Sequence, residues 1–230
     1  MMDVTVLVSS FDQWRVMLEG FAYYLGRYWP DCPYPVRYMV NERAAPVGES
    51  LYCGSNTNWV AMMYEALAQY DTFATLFMLN DYWLKWPVQT QVIDDWAVYL
   101  SRYDIAHIRL QRSDPVTQQA KGPFAPDPRL FEFSDQASYR VSLQAGLWQT
   151  RMLRALLKYA DNPWDFETNG SVRSAGWLRT LCIDATTVPA EVNHDAVFCY
   201  HNMASCGQWM GQPISDALEG QVDRFIAENP

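Results

Sequence analysis

Phe73-Ala74-Thr75-Leu76-Phe77-Met78-Leu79-Asn80-Asp81-Tyr82-Trp83 is an apolar run that stops abruptly at an amide and an acid. With no polar alternation, it reads as a strand buried on both faces, and such strands belong to parallel sheets. The flanking segments agree. Before it, Trp59, Met62, Met63, Ala66, Leu67 and Tyr70 recur at the period of an amphipathic helix, and after it Val88, Val92, Trp96, Leu100 and Tyr103 do the same. Ile105 to Leu110 is the next apolar strand. Toward the N-terminus, Val4 to Val8 and Val36 to Val40 read as strands. Between them Trp14, Leu18, Phe21, Leu25 and Tyr28 mark a helix that Pro30 stops. Ser10 and Gln13 have the spacing of a capping box for that helix. Alternating strands and helices predict an α/β fold, with a Rossmann-like, mainly parallel central sheet and helices on both faces.

The second half is less regular. Gln111 to Asp135 holds Pro115, Pro123, Pro126 and Pro128 and no period, which predicts a long mobile loop. Tyr139 to Leu143 reads as a strand, and Met152, Leu153, Leu156 and Leu157 as a short helix. Asn162-Pro163-Trp164 breaks that helix, Asp165 to Gly176 starts another, and a last helix is expected from about Ser215. With no internal repeat or change of composition, residues 1–230 read as one domain, in two halves at 1–110 and 111–230.

Composition excludes several classes. Half of the 230 residues are apolar or aromatic, enough for a substantial core. The net charge of −9 and the lack of a Lys/Arg-rich stretch argue against nucleic acid as a partner. Cys32, Cys53, Cys182, Cys199 and Cys206 are scattered, which reads as reduced thiols rather than a disulfide or zinc framework. The N-terminus lacks a basic, apolar leader and no run reaches membrane-spanning length, so a cytoplasmic protein is expected. Most of the 10 tryptophans and 14 tyrosines are expected in the core, and some in a groove suited to sugar faces or nucleobases.

Ligands of open α/β sheets bind beyond the carboxyl ends of the strands, which singles out Ser9, Ser10, Asn41, Asn80 and Asp81. Asp81 at a strand end is placed to bind a divalent cation, or else to cap a turn. Ala145-Gly146 would let a ligand approach the backbone closely, or else make a tight turn. Asp165 and Glu167 sit beside Trp164 after the helix break. They read as partners of a helix dipole or, in a cleft, as a general base. His201 is a weak candidate metal ligand. There is no nucleophile elbow, P-loop or G-x-G-x-x-G.

Tyr139-Arg140-Val141-Ser142-Leu143-Gln144-Ala145-Gly146-Leu147-Trp148, then Leu153, Leu156-Leu157 and Asn162-Pro163-Trp164-Asp165-Phe166-Glu167, resembles a block found in a bacterial and phage group classed as glycosyltransferases. Asn80-Asp81-Tyr82 is similar to that group's acidic metal motif, with an amide at the first position, and Gly207-Gln208-Trp209 to a late element. The resemblance implies a GT-A fold, with 1–110 as the nucleotide-sugar-binding half and 111–230 as the acceptor and catalytic half. It implies transfer of a sugar from a nucleotide-diphosphate donor, of the uridine type, to a glycan or other hydroxyl acceptor with inversion, assisted by Mn2+ or Mg2+ at Asp81. Ser9, Ser10, Asn41 and Asn80 would then contact the donor. Gln144, Ala145, Gly146 and Trp148 would shape the sugar pocket, Trp164 and Asp165 would meet the acceptor, and Glu167 would be the base. The alternative is a non-catalytic sugar- or nucleotide-sugar-binding module on the same fold, which Asn80 favours.

Overall fold

The computed structural model describes residues 2–188, 198, 200–202, 204, 205, 208 and 209. The expected C-terminal helix from Ser215 and the Gly207 position lie outside the described residues. In chain order the elements are β1 (Val4–Ser9), a 3-10 turn (Asp12–Trp14), α1 (Arg15–Tyr28), β2 (Val36–Val40), β3 (Glu49–Tyr52), α2 (Trp59–Ala68), β4 (Ala74–Leu79), β5 (Tyr82–Leu84), α3 (Thr90–Arg102), β6 (His107–Ser113), β7 (Ala120–Pro123), β8 (Leu130–Phe133), β9 (Gly146–Gln149), α4 (Thr150–Leu157), α5 (Pro163–Arg173), β10 (Thr180–Asp184) and β11 (Tyr200–Asn202).

Nine strands form one sheet in the order β3-β2-β1-β4-β9-β6-β10-β8-β7. The pairs β2–β3, β1–β2, β1–β4 and β6–β10 are parallel, while β9 runs antiparallel to both neighbours, and β8 and β7 form an antiparallel edge. Side chains alternate across the sheet. Val6 and Val8 face a core completed by Phe21 of α1 and Trp96 of α3, while Leu7 and Phe77 face one completed by Met62 and Met63 of α2, Leu153 of α4 and Phe166 of α5. The sheet is covered on both faces, as the unbroken apolar strands require. No helix of the described residues is long and apolar enough to cross a membrane.

Four local expectations fail. The capping box is not formed: α1 enters through the 3-10 turn with no side-chain cap, because Ser10 Oγ is taken by Asn80. The stretch between β2 and α2, where Pro46, Gly48 and Gly54 read as a loop, contains the short edge strand β3. Residues 111–135 are not an aperiodic loop: they finish β6 and then form the β7–β8 hairpin, with Leu130, Phe131 and Phe133 buried. Tyr139 to Leu143 is irregular, and the strand of this region is β9, which starts at Gly146.

Candidate functional site

The direction of chain travel reverses between β1 and β4, which are neighbours in the sheet although β2 and β3 lie on one side of β1 and β4 on the other. Such a reversal opens a crevice at the carboxyl ends of the strands. Ser9 and Ser10 end β1, Asn41 ends β2, and Asn80 and Asp81 end β4, so the structure gathers these five positions along one edge.

Most of their polar atoms brace the edge. Ser9 Oγ accepts from Trp59 Nε1 (3.1 Å), and its carbonyl accepts from the Asn80 N–H (3.1 Å). Asn80 Nδ2 donates to Ser10 Oγ (2.9 Å) and to the Trp14 carbonyl (3.3 Å). Those bonds need a donor, which is why an amide and not an acid fits there. Asn41 Oδ1 accepts from the Asp12 N–H, and its Nδ2 donates to the Asn56 carbonyl (2.6 Å) and the Gly54 carbonyl (3.3 Å). Asp12, which sequence reasoning passed over, accepts from three successive backbone N–H groups, Asn41, Glu42 and Arg43, at 3.0–3.1 Å. This fixes the turn after β2. Against that turn lies a cavity of about 350 Å3 lined by Phe11, Gln13, Asn41, Glu42, Ser55 and Thr57.

A second group assembles around Tyr82. Asp81 occupies the turn between β4 and β5, and β5 pairs with β11, which returns from late in the chain to place Tyr200 against Tyr82 with ring centroids 4.6 Å apart. The Tyr200 hydroxyl donates to Gln144 Oε1 and accepts from the Ala145 N–H (3.3 Å). Glu167, half-buried on α5, accepts at Oε1 from Ser142 Oγ (3.0 Å) and from the Leu143 N–H (2.7 Å). Among the described residues both bonds fall on Oε1, which leaves Oε2 for a further partner. Burial, then the Tyr200 phenol and the Asp81 and Glu167 carboxylates, push the Tyr82 hydroxyl well above the usual phenol range. Asp81, Gln144 and Glu167, which are far apart in sequence, are thus brought to one region, Asp81 by its place next to Tyr82, Gln144 by its bond to Tyr200 and Glu167 by its bonds to the 142–143 backbone; Tyr200 is marked by no local pattern.

Other candidates lie elsewhere. Trp148 is fully buried in β9, stacked on His107 at 3.8 Å and packed near Phe166, so it is core and cannot line a sugar pocket. Burial lowers the His107 pKa well below its usual value. Gly146 is needed because a Cβ there would run into that imidazole, so the close approach is made by a side chain and not by a ligand. The side chain of Ala145 is also buried, although its N–H reaches the site. Asp165 completes the N-terminal cap of α5. Asn162 Oδ1 accepts from the Asp165 N–H, and the Asp165 carboxylate, held below its usual range by bonds from Asn169 and the Asp161 N–H and by Arg173, is occupied there. Trp164 is exposed beside it. The backbone of His201 pairs with Trp83, and its side chain lies outside the described residues. Among the described residues no three His, Cys, Asp or Glu side chains converge as a metal centre.

No model of a known protein family matches the chain, and no curated protein sequence matches it. Solved structures do. S. aureus TarS is similar over 99% of this chain at 13% identity and a TM-score of 0.53, with this chain spanning 39% of the TarS chain. A shorter form, TarS 1–349 in complex with UDP-GlcNAc, gives 14% identity and a TM-score of 0.50 over 99% of this chain and 66% of that one. The galactosyltransferase LgtC, in complex with donor and acceptor sugar analogs, gives 10% identity and a TM-score of 0.50 over 97% of this chain and 95% of its own. The mostly parallel sheet covered by helices on both faces, matched by these structures over nearly the whole chain, is a GT-A-like fold.

Proposed function

We propose that the chain is a glycosyltransferase that moves a sugar from a uridine-type nucleotide-diphosphate donor to a hydroxyl of a glycan or similar acceptor, with inversion. The observation that carries this reading is that the β4–β5 turn bearing Asp81, the Tyr82–Tyr200 pair bonded to Gln144, and Glu167 bonded to the 142–143 backbone lie at the same carboxyl edge of the sheet as the cavity at the ends of β1 and β2. The solved relatives support the donor class, since TarS binds UDP-GlcNAc and LgtC binds donor and acceptor sugar analogs.

The nucleoside occupies the cavity whose walls Asn41, Ser9, Ser10 and Asn80 hold in place. Its diphosphate points toward Asp81, and Gln144 with the Ala145 N–H meets the sugar. Magnesium-like cations are commonly held by one or two carboxylates plus substrate phosphates, so a single Asp81 fits Mg2+ or Mn2+ once the diphosphate is present. Held there by Asp81, such a cation would supply charge neutralisation for the departing diphosphate. Glu167 Oε2 takes the proton of the acceptor hydroxyl. The acceptor oxygen bonds to the anomeric carbon from the face opposite the diphosphate, and the carbon–oxygen bond to the diphosphate breaks with its electron pair leaving on the nucleotide. A base in this position contributes about 10²–10⁴-fold.

Asn80 favours a second reading, a binding module without turnover, because its amide is spent on Ser10 and Trp14 and leaves Asp81 as one carboxylate. Calorimetry with a panel of UDP-sugars, followed by donor hydrolysis and transfer assays with and without Mg2+ or Mn2+, separates the two. Binding with turnover is the expected result. Binding without turnover under any metal condition selects the module, and no binding by any nucleotide sugar sinks both.

A further inference from the structure

The 139–143 connection is fastened on its inner side and open on its outer side. Arg140 is buried, donates to Ser174 Oγ (3.2 Å) and to the Leu178 carbonyl, and pairs with Asp135 at 3.5 Å. With Arg140 turned inward, Tyr139 projects outward, half exposed, at a φ of +53°. A bulky side chain is disfavoured in that left-handed conformation, which glycine or asparagine accepts more readily. The turn alone gives no reason for tyrosine. Beside it a cavity of about 380 Å3 lies between this connection and α5, lined among others by Ser138, Tyr139, Thr168, Ser171 and Val172.

On α5, Trp164, Thr168 and Val172 follow at i, i+4 and i+8, one stripe about 12 Å long. Trp164 is 71% exposed and Val172 73%. Glu167 is the i+3 neighbour of Trp164, so the stripe begins beside the base. Grouped exposed apolar side chains mark an interaction surface. Trp164 on α5 and Tyr139 across from Thr168 each present a ring suited to the C–H face of a sugar, and the Ser138 and Thr168 side chains line the cavity beside Tyr139. The chain's net charge of −9 disfavours a polyanionic occupant.

We propose that this groove binds a neutral oligosaccharide acceptor behind its reacting end, with Trp164 stacking on a sugar near the transferred position and Tyr139 with its cavity holding one further along. The proposal rests on Glu167 being the acceptor's base, and it narrows the acceptor to a glycan chain rather than a free monosaccharide.

The test uses the full chain labelled with 5-fluorotryptophan, with the Trp164 resonance assigned from Trp164→Phe. Maltohexaose, cellohexaose, chitohexaose and mannohexaose are titrated against their monosaccharides. At least one hexasaccharide should move the Trp164 resonance and bind about tenfold more tightly than its monosaccharide, and Trp164→Ala should weaken it by up to about tenfold. Tyr139→Asn should weaken binding while leaving the melting temperature unchanged or raised, which a purely structural tyrosine would not do. If no hexasaccharide moves the resonance, the groove is overturned. It is equally overturned if Trp164→Ala instead converts a dimer to a monomer in sedimentation, since the face is then a contact between copies. UDP-sugar calorimetry on the same sample reads the donor site separately. Donor binding without an oligosaccharide response overturns the groove alone. An oligosaccharide response without donor binding overturns the transferase reading and, with it, the acceptor role.

Discussion

Glu167 both holds the 142–143 backbone and faces the site, and two substitutions separate those roles. Glu167→Gln keeps an oxygen for Ser142 and Leu143 and removes the basicity, so turnover should fall on the order of 10²-fold or more while donor affinity and melting temperature stay nearly constant. Glu167→Ala also leaves the Leu143 N–H without its partner and should cost about 1–3 kcal/mol of stability. Asp165→Asn is the control, because the Asp165 carboxylate is committed to the helix cap, and a loss of turnover there with none in Glu167→Gln would move the base. Asn80→Asp is expected to lower the melting temperature, since it sets a carboxylate against the Trp14 carbonyl, and not to tighten Mg2+ binding; tighter binding would show that Asn80 is a weakened ligand. At this scale sequence patterns mark residue types well and surroundings poorly. Trp148 and Trp164 look alike in the sequence, yet one stacks on His107 in the core and the other is exposed, and that difference depends on a side chain 41 positions earlier. Tyr200 gives no local signal, because its role exists only once β11 has paired with β5.

Among the elements, β1, β2, β4, α2 and α3 are legible because each carries a long apolar run or a full helical period. The edge elements β3, β7 and β8 have four residues each, too few to show a period, and prolines around them mimic a loop. The β7–β8 turn is held by Asp127 through one partner inside the turn and one far away in the sequence. Asp127 accepts from Trp96 Nε1 of α3 (2.8 Å) and from the Arg129 guanidinium at 2.7 and 2.8 Å. Burial pushes Asp127 up, but the bonds from Arg129 and Trp96 outweigh it, and the carboxyl sits below its usual range. A depressed folded-state value means that the contribution is present above the unfolded value of about 3.9 and is lost as pH falls through the folded one. Asp127→Asn should therefore cost about 1–3 kcal/mol at neutral pH. The gap in urea-unfolding free energy between it and wild type should narrow as pH falls below about 4. A gap constant from pH 7 to pH 2.5 would show that the ionised carboxylate contributes nothing. Hydrogen exchange of residues 120–133 reports on the same hairpin. The buried Leu130, Phe131 and Phe133 predict protection without any ligand, where a loop would exchange freely.

For the whole molecule, the decisive feature is that β9 runs against its neighbours. Gly146 lies opposite Phe77 of β4 and Arg109 of β6, so residues 142–145, which precede it, emerge at the carboxyl ends of the strands beside Asp81. The chain then descends through β9, packs α4 beneath and returns along α5, which brings Glu167 back to that same edge. A parallel strand at this place would deliver Ser142 and Gln144 to the opposite side. The cavity proposed for the nucleoside is built from the ends of β1 and β2 and the loop before α2, whereas Asp81 sits at the end of β4. The proposed function assigns nucleoside and phosphate to different strands, so their binding should come apart on substitution. Asp81→Ala should weaken a UDP-sugar and UDP while leaving uridine affinity near wild type. Thr57→Trp, which fills the cavity, should weaken all three ligands alike. Calorimetry on the two variants, with thermal shifts that scale with ligand excess over its dissociation constant, measures both. Equal losses for uridine and UDP in Asp81→Ala would mean that Asp81 shapes the crevice as a whole, and the phosphate position would have to be sought on another strand.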